Sequence, residues 1–298
     1  MELFLQRLFD AMGNGAIYAS LGLALAIIYK STGHLNFAQG EMAMFSAFIV
    51  YVLSVEQGWP IVPSIIVTMV LAGVFGAVVE GALVRPLERR NPLTVVIVSL
   101  GLFLILNSLA SKIWYGNPRQ FDSPYPDPQL HYIEIGGARL PYATIGYWLT
   151  VLGAAGFLWL LLQKTKVGLA FRAVASNRAS ARLVGIEVDR TLMLGWALAA
   201  MLGAISGVIA ASSRPLFDAN LMLPLLIYAF AAVLIGGFDS LGGAIVGGML
   251  IALIETMAGG YLDFVGAEMA QTTALTVIVV VLLFRPTGLF GSKKVHRV

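Results

Sequence analysis

The sequence contains no cysteine, which excludes disulfides, thiolate metal sites and cysteine nucleophiles. Charge is nearly as scarce: Asp, Glu, Lys and Arg together make 12% of the residues, about half the share in a soluble domain. The three histidines, His34, His131 and His296, fall outside the interiors of the apolar runs. A buried serine–histidine dyad or a histidine-rich metal cluster therefore cannot be assembled at depth. No GxxxxGK[ST] loop occurs, and the glycine-rich IGGFDSLGGAIVGG lacks the lysine that reaches nucleotide phosphates. GAISG at 203–207 is similar to an intramembrane serine nucleophile motif, but its spacing is one residue too long. Gly203 and Gly207, like Gly243 and Gly247, read instead as close helix contacts. No cofactor, no metal and no catalytic residue is expected.

What remains is apolar. Hydrophobic residues make 58% of the 298 positions and the mean hydropathy is +0.85. They come in runs near or above the roughly 18 residues needed to cross a hydrocarbon core, not as the short alternating strands of a barrel. Nine candidate spans follow, near 11–29, 38–54, 61–84, 93–111, 143–162, 191–212, 221–235, 243–258 and 269–284. The expected fold is an all-α polytopic membrane protein of eight or nine helices forming a single membrane domain over 1–298. The pair within 221–258 is short and interrupted by glycines, so a broken or re-entrant hairpin is the alternative there.

Nine spans place the termini on opposite sides, and the basic residues choose the sides. Five of the nineteen lysines and arginines, namely Arg7, Lys112, Arg119, Arg139 and Arg214, fall in one set of loops. The other fourteen cluster at Lys30, 85–90, 164–190 and 285–297. Basic residues near span ends are retained on the cytoplasmic side. The N-terminus is therefore expected outside, 112–142 is an external loop, and 163–190 and the tail 285–298 are cytoplasmic. This topology also explains the net charge of +3 without a nucleic-acid partner. The N-terminal run lacks a positive n-region and a small-x-small cleavage site, so it is expected to remain as a span.

Two polar stretches stand out. QKTKVGLAFRAVASNRASARLVGIEVDR, 163–190, suits a cytoplasmic amphipathic helix. Ser176 is placed to cap a helix running to about Val184, and Gly185 suits the left-handed position that ends it. Ala175, Ala179 and Leu183 then share one stripe, and Arg178 and Arg182 another. Such a helix either enters a groove on a partner domain or lies on anionic lipid. STGHLNFAQGEMAM, 31–44, brings Asn36, Gln39 and Glu41 to the start of the second span. They read as a helix cap, or as polar groups lining a path where free helix amides meet a ligand. Glu80 and Glu255 sit in or near spans, and Glu80 is five residues from Arg85, a partner for it.

GAIYASLGLALAIIY, LNFAQGEMAM, GLAFRAVASNRASARLVGI, AVLIGGFDSLGGAIVGG and RPTGLFG together resemble, nearly end to end, the H-type (LivH-type) permease subunit of branched-chain amino-acid ABC importers. The resemblance implies a bacterial inner-membrane assembly with a second, M-type permease, two cytoplasmic ATPases and a periplasmic substrate-binding protein. It implies ATPase docking by 172–185, with Arg172, Ser176, Asn177, Arg178, Arg182, Leu183 and Gly185 as the coupling residues. Asn36, Gln39 and Glu41 are carried as candidates for the translocation path. At Gln39 the chain departs from the histidine expected in many relatives. Related permeases serve importers of leucine-like amino acids, amides, urea and aromatic acids. A stand-alone secondary transporter or channel is the rival reading, followed by an intramembrane enzyme.

Overall fold

The computed structural model describes residues 1–88, 92–114, 117–261, 269–284 and 288–291. In hydrocarbon every backbone polar group must be satisfied within its own segment, so runs this apolar fold as helices. The helices are α1 (Glu2–Thr32), α2 (Gln39–Tyr51), α3 (Ile61–Val79), α4 (Arg85–Glu88), α5 (Pro92–Ile113), α6 (Tyr142–Lys164), α7 (Lys166–Ser176), α8 (Arg178–Leu183), α9 (Val188–Ser212), α10 (Met222–Gly236), α11 (Leu241–Tyr261) and α12 (Ala270–Phe284). Five-residue π-helical turns, Val52–Glu56 and Glu80–Val84, continue α2 and join α3 to α4. Among the described residues six helical segments are long and apolar enough to cross a membrane, and Met222–Gly236 is a shorter apolar helix. The chain is thus a polytopic all-α membrane protein.

Three details depart from the expectations. The span expected at 38–54 is a helix of only 13 residues closed by the π turn, about 20 Å of regular helix at 1.5 Å per residue. The pair within 221–258 is two helices, the second of 21 residues and long enough to cross. Their elbow is made by Gly237 at φ +99° and by Ser240, whose hydroxyl accepts the Gly243 amide at 2.9 Å. Thirdly, the loop after α5 contains a hairpin of β1 (Tyr132–Ile135) and β2 (Ala138–Pro141), with Ile135 opposite Ala138. Gly136 and Gly137 turn it at φ +60° and +84°, the two successive left-handed residues that a type I′ turn requires.

The chain resolves into two compact units. One comprises Met1–Ala26, Tyr125–Val151 and Pro224–Val298. In it α1, α10 and α11 meet through small residues. A Cβ on Gly248 would strike the backbone of Ala19, and one on Gly247 or Gly243 would strike the α10 backbone at Ala232 or Gly236. Tyr18 stacks on Tyr228 with centroids 4.8 Å apart and donates to Glu255 at 2.5 Å, which gives that in-span carboxylate its partner. The hairpin rests on the start of α1, where the Arg139 amide donates to the Gln6 side-chain carbonyl at 2.8 Å. Leu289 and Phe290 donate their amides to the Ile235 and Gly236 carbonyls at 2.7 and 3.1 Å. Leu289 and Phe290, from the GLFG end of the closing motif, thereby cap the open carbonyl end of α10.

The other unit comprises Ile27–Pro124 and Leu152–Leu223, with α9 packed on α2 and α3. Again glycine sets the distance: Gly76 of α3 lies against Trp196 of α9, and Gly207 of α9 lies against the Ala43 carbonyl of α2. An aromatic cluster closes one end, with Phe48 stacked on Trp114 at 4.2 Å and tilted against Phe217 at 5.0 Å. The Arg119 and Phe217 backbones pair by two hydrogen bonds of 2.7 and 2.8 Å.

Candidate translocation path and coupling segment

The polar stretch 31–44 folds back into its unit. The Gln39 side chain donates to the Ala199 carbonyl at 2.9 Å. Ala199 is eleven residues after the start of α9, or about 16 Å along it at the α-helical rise. The first turn of α2 therefore lies beside the middle of α9, and α2 is a half-length helix that begins at depth. Asn36, Gln39 and Glu41 are all fully buried. Glycine makes room: a Cβ on Gly203 would come within 2.6 Å of the Gln39 amide nitrogen.

The three path candidates differ in what they have left to offer. Asn36 accepts the Ala38 amide at 3.0 Å and donates to Gln39 at 3.3 Å, tightening the turn ahead of α2, whose N-cap Ala38 makes no side-chain capping bond. Gln39 is committed to Ala199. Glu41 accepts one hydrogen bond, from Asn107 of α5 at 3.3 Å, and its second oxygen has no partner among the described residues. Neither side chain caps α2; Asn36 and Gln39 are spent on each other and on nearby backbone, and Glu41 is the group with free capacity. Asn107, which also donates to the Ala219 carbonyl at 3.1 Å, was missed in the sequence. A lone asparagine in the apolar run LFLILNSLA was the available signal.

The coupling segment is two helices, not one. α7 is capped by Thr165, whose hydroxyl accepts the Gly168 amide at 3.2 Å. It ends at Ser176, so Ser176 closes a helix and does not start one. The cap of the next helix is Asn177, extended at φ −157°, whose side-chain oxygen accepts the Ser180 amide at 3.0 Å. The expectation placed the cap one residue early because a serine and an asparagine stand side by side and both suit the role. The break also divides the stripe expected of Ala175, Ala179 and Leu183, although all three are exposed. Gly185 ends the segment at φ +83°, as expected.

The arginines tie this segment to the spans. Arg172 donates at 2.8 Å to the Leu162 carbonyl and at 2.8 Å to the Gln163 side chain, closing the last turn of α6. Arg178 reaches the Thr32 carbonyl at the end of α1 at 2.5 Å. Arg182 pairs with Asp189 at 3.2 Å, and Asp189 also lies 3.8 Å from Arg85, which holds Glu80 at 2.6 Å. Glu80 is 1% exposed and satisfied, because the π turn that contains it brings residues i and i+5 onto one face. Asp189, in the first turn of α9, is the junction that sequence reasoning missed. Beneath the arginines, Val174, Ala181, Val188 and Leu192 form a small apolar core joining α7 and α8 to α9. Leu183 and Val184, by contrast, are 89% and 73% exposed.

Comparison with known proteins places the chain in a family. The permease protein LivH of the Escherichia coli K12 high-affinity branched-chain amino acid transport system is 25% identical, covering 99% of this chain and 98% of that one. The permease protein BraD of the corresponding Pseudomonas aeruginosa system is also 25% identical, over 99% and 98%. A probable LivH of Methanocaldococcus jannaschii is 28% identical, over 93% and 90%. A family model described as the permease component of the branched-chain amino acid transport system matches residues 7–285, and with so much of its length matched the chain belongs to that family.

Proposed function

We propose that this chain forms half of the translocation path of an ATP-driven importer for branched-chain or similar small amino acids, and that it takes its energy from separate cytoplasmic ATPases through 163–190. The observation that carries the reading is the join between segment and spans. α8 is held to α1 by Arg178 and to α9 and α3 by Arg182, Asp189, Arg85 and Glu80. α9 in turn holds the start of α2 through Ala199, Gly203 and Gly207. A pull on α8 therefore has a route of packed helices to Glu41, while Leu183 and Val184 present the apolar tip that a groove on an ATPase can cover.

In this reading the N-terminus is periplasmic and the C-terminus cytoplasmic, as the basic residues require. A second permease, of M type, supplies the other wall. A periplasmic binding protein delivers substrate, and the inner bacterial membrane holds the assembly. The substrate class is taken from the relatives, which belong to branched-chain amino acid transport systems, and alternation of access follows from ATPase closure. Vesicles holding the two permeases, the two ATPases and the binding protein should accumulate leucine with ATP and not without it. Arg178→Ala combined with Gly185→Ala should leave ATP hydrolysis running while leucine uptake falls. Accumulation by this chain alone under a proton or sodium gradient would overturn the reading in favour of a secondary transporter.

A further inference from the structure

We infer that the apolar cavity among α2, α3 and α5 holds the tail of a membrane phospholipid, and that this acyl chain backs the half-length helix α2 on a face that α9 leaves uncovered. The cavity has a volume of about 200 Å³ and lies wholly within the unit that contains 27–124. From α2 it takes Met42, Phe45, Ser46 and Ile49, spaced as one helical stripe. Ala43, whose carbonyl meets Gly207 of α9, is on a different face. α2 thus has a wall of protein on one side and an open volume on another.

Chemistry, depth and the shape of the rim decide what enters. Of the lining side chains only Ser46 is polar, and its hydroxyl donates to the Met42 carbonyl at 2.8 Å. Water stays in a cavity only where it finds roughly two to four polar partners, so this space excludes water and takes hydrocarbon. Met42, Ser46, Ala72 and Leu106 are buried and form its floor, whereas Leu71, Phe75 and Leu109 are 48%, 38% and 42% exposed and form its rim. The mouth therefore opens on the outward side of α3 and α5, where Val70, Val74, Leu104 and Ile105 are also exposed. Ala72 lies about 16 Å along the helical segment Ile61–Leu87, and Leu106 about 18 Å along Thr94–Ile113. Both are near mid-span, where lipid presents tails and not headgroups. Spans approach each other through small residues, and those of α3 at this level, Gly73 and Gly76, are already spent on Met201 and Trp196 of α9. A neighbouring span would meet only the bulky rim, which a flexible chain can thread. At about 30 Å³ per small group the space holds roughly six or seven carbons, the terminal part of an acyl tail.

The test places the complete transporter in vesicles of phosphatidylethanolamine and phosphatidylglycerol with a trace of phosphatidylcholine carrying a diazirine near the end of one acyl chain, and maps photolabelled residues by peptide mass spectrometry. Label is expected on the floor at Met42 as well as on the outward residues Val70 and Ile105. The same lipid with the diazirine on its headgroup should label none of the three. Ala72→Phe, which fills the cavity from α3, should abolish label at Met42 and leave Val70 and Ile105 labelled. Ser46→Leu, filling it from α2, should do the same and decides the matter if Ala72→Phe fails to assemble. Delipidation should quicken amide hydrogen exchange over 39–51 in the wild type and less in the filled variants. Label at Val70 and Ile105 without label at Met42, label at Met42 that both variants leave unchanged, or photo-methionine at position 42 crosslinking to another subunit and not to lipid would overturn the inference.

Discussion

Two glycine-lined helix contacts, α9 on α2 and α11 on α10, use one device in different surroundings. In both, a glycine pair four residues apart (Gly203 with Gly207, Gly243 with Gly247) admits a close neighbour, a backbone at Gly207, Gly243 and Gly247 and the end of the Gln39 side chain at Gly203. Between α10 and α11 the glycines meet mainly the backbone of Ala232, Gly236 and Gly243, with Ser240 at the elbow. At α2 and α9 the same closeness brings a buried glutamine, asparagine and glutamate beside the middle of α9. Without a hydrophobic drive between helices in lipid, close packing is what holds either contact. The first contact spends it on cohesion alone. The second spends it on keeping a polar half-helix at depth, an arrangement that irregular backbone tolerates only where protein or a cavity surrounds it.

Bulk at the backbone should have the largest effect and should not distinguish the two contacts. Gly207→Leu and Gly247→Leu each push a side chain into a neighbouring carbonyl, at a cost of about 3 kcal/mol or more. Both should leave little protein in the membrane, measured by fluorescence-detected size exclusion, while Gly242→Ala, with nothing within 4 Å of its Cβ, should leave the yield intact. Gly203→Ala then separates the contacts. Its methyl meets the mobile end of Gln39, so the fold should persist while the bond from Gln39 to Ala199 is displaced, and leucine uptake should fall more than yield. Equal yields for Gly207→Leu and wild type would show that the glycines do not set the helix spacing.

Next in size is the ion pair at the other end of α9. Glu80→Ala leaves Arg85, 23% exposed, without its main partner, and should cost about 2–3 kcal/mol. The readout is the midpoint of thermal aggregation in detergent. Arg182→Ala should cost well under 1 kcal/mol by the same readout, because that arginine is 60% exposed and its pair with Asp189 is screened by water. If the two variants lost the same stability, the junction at Asp189 would be bearing load through the exposed pair and not through Glu80. Arg178→Ala, which removes the bond to Thr32, should reduce uptake per ATP hydrolysed by about tenfold, the equivalent of 1.4 kcal/mol of coupling.

How much of this was legible depends on whether the signal is local. The spans were, because a long apolar run has one outcome in lipid; so were Gly185 and the pairing of Glu80 with Arg85, each set within a few residues. The length of α2 was not: LNFAQGEMAM reads as the edge of an ordinary span until Ala199, distant in sequence, fixes how deep Gln39 sits. Asn107 and Asp189 were hidden for the same reason, since each takes its role from a residue on another helix. The β-hairpin was legible and overlooked. YIEIGGARLPY alternates around a Gly-Gly pair, which is a strong short-range hairpin signal, but it is a short polar stretch between long apolar runs.

The smallest expected effect tests the cap that passes from Ser176 in the sequence reading to Asn177 in the structure. Asn177 caps α8 with its side chain, accepting the Ser180 amide, and its own amide donates to the Ala173 carbonyl at 3.0 Å, so it also closes α7. Asn177→Ala keeps the second bond and loses the first, a cost of about 1 kcal/mol. Asn177→Ser or Asn177→Asp keeps an acceptor and should recover most of it, whereas Ser176→Ala should cost nearly nothing. α8 has six residues, too few to persist without its cap and its packing. The loss should therefore appear as faster amide hydrogen exchange confined to 178–184, with the spans unchanged. Were Ser176→Ala to quicken exchange there while Asn177→Ala did not, the cap would sit one residue earlier, the two helices would be one, and the hinge between α7 and α8 would disappear.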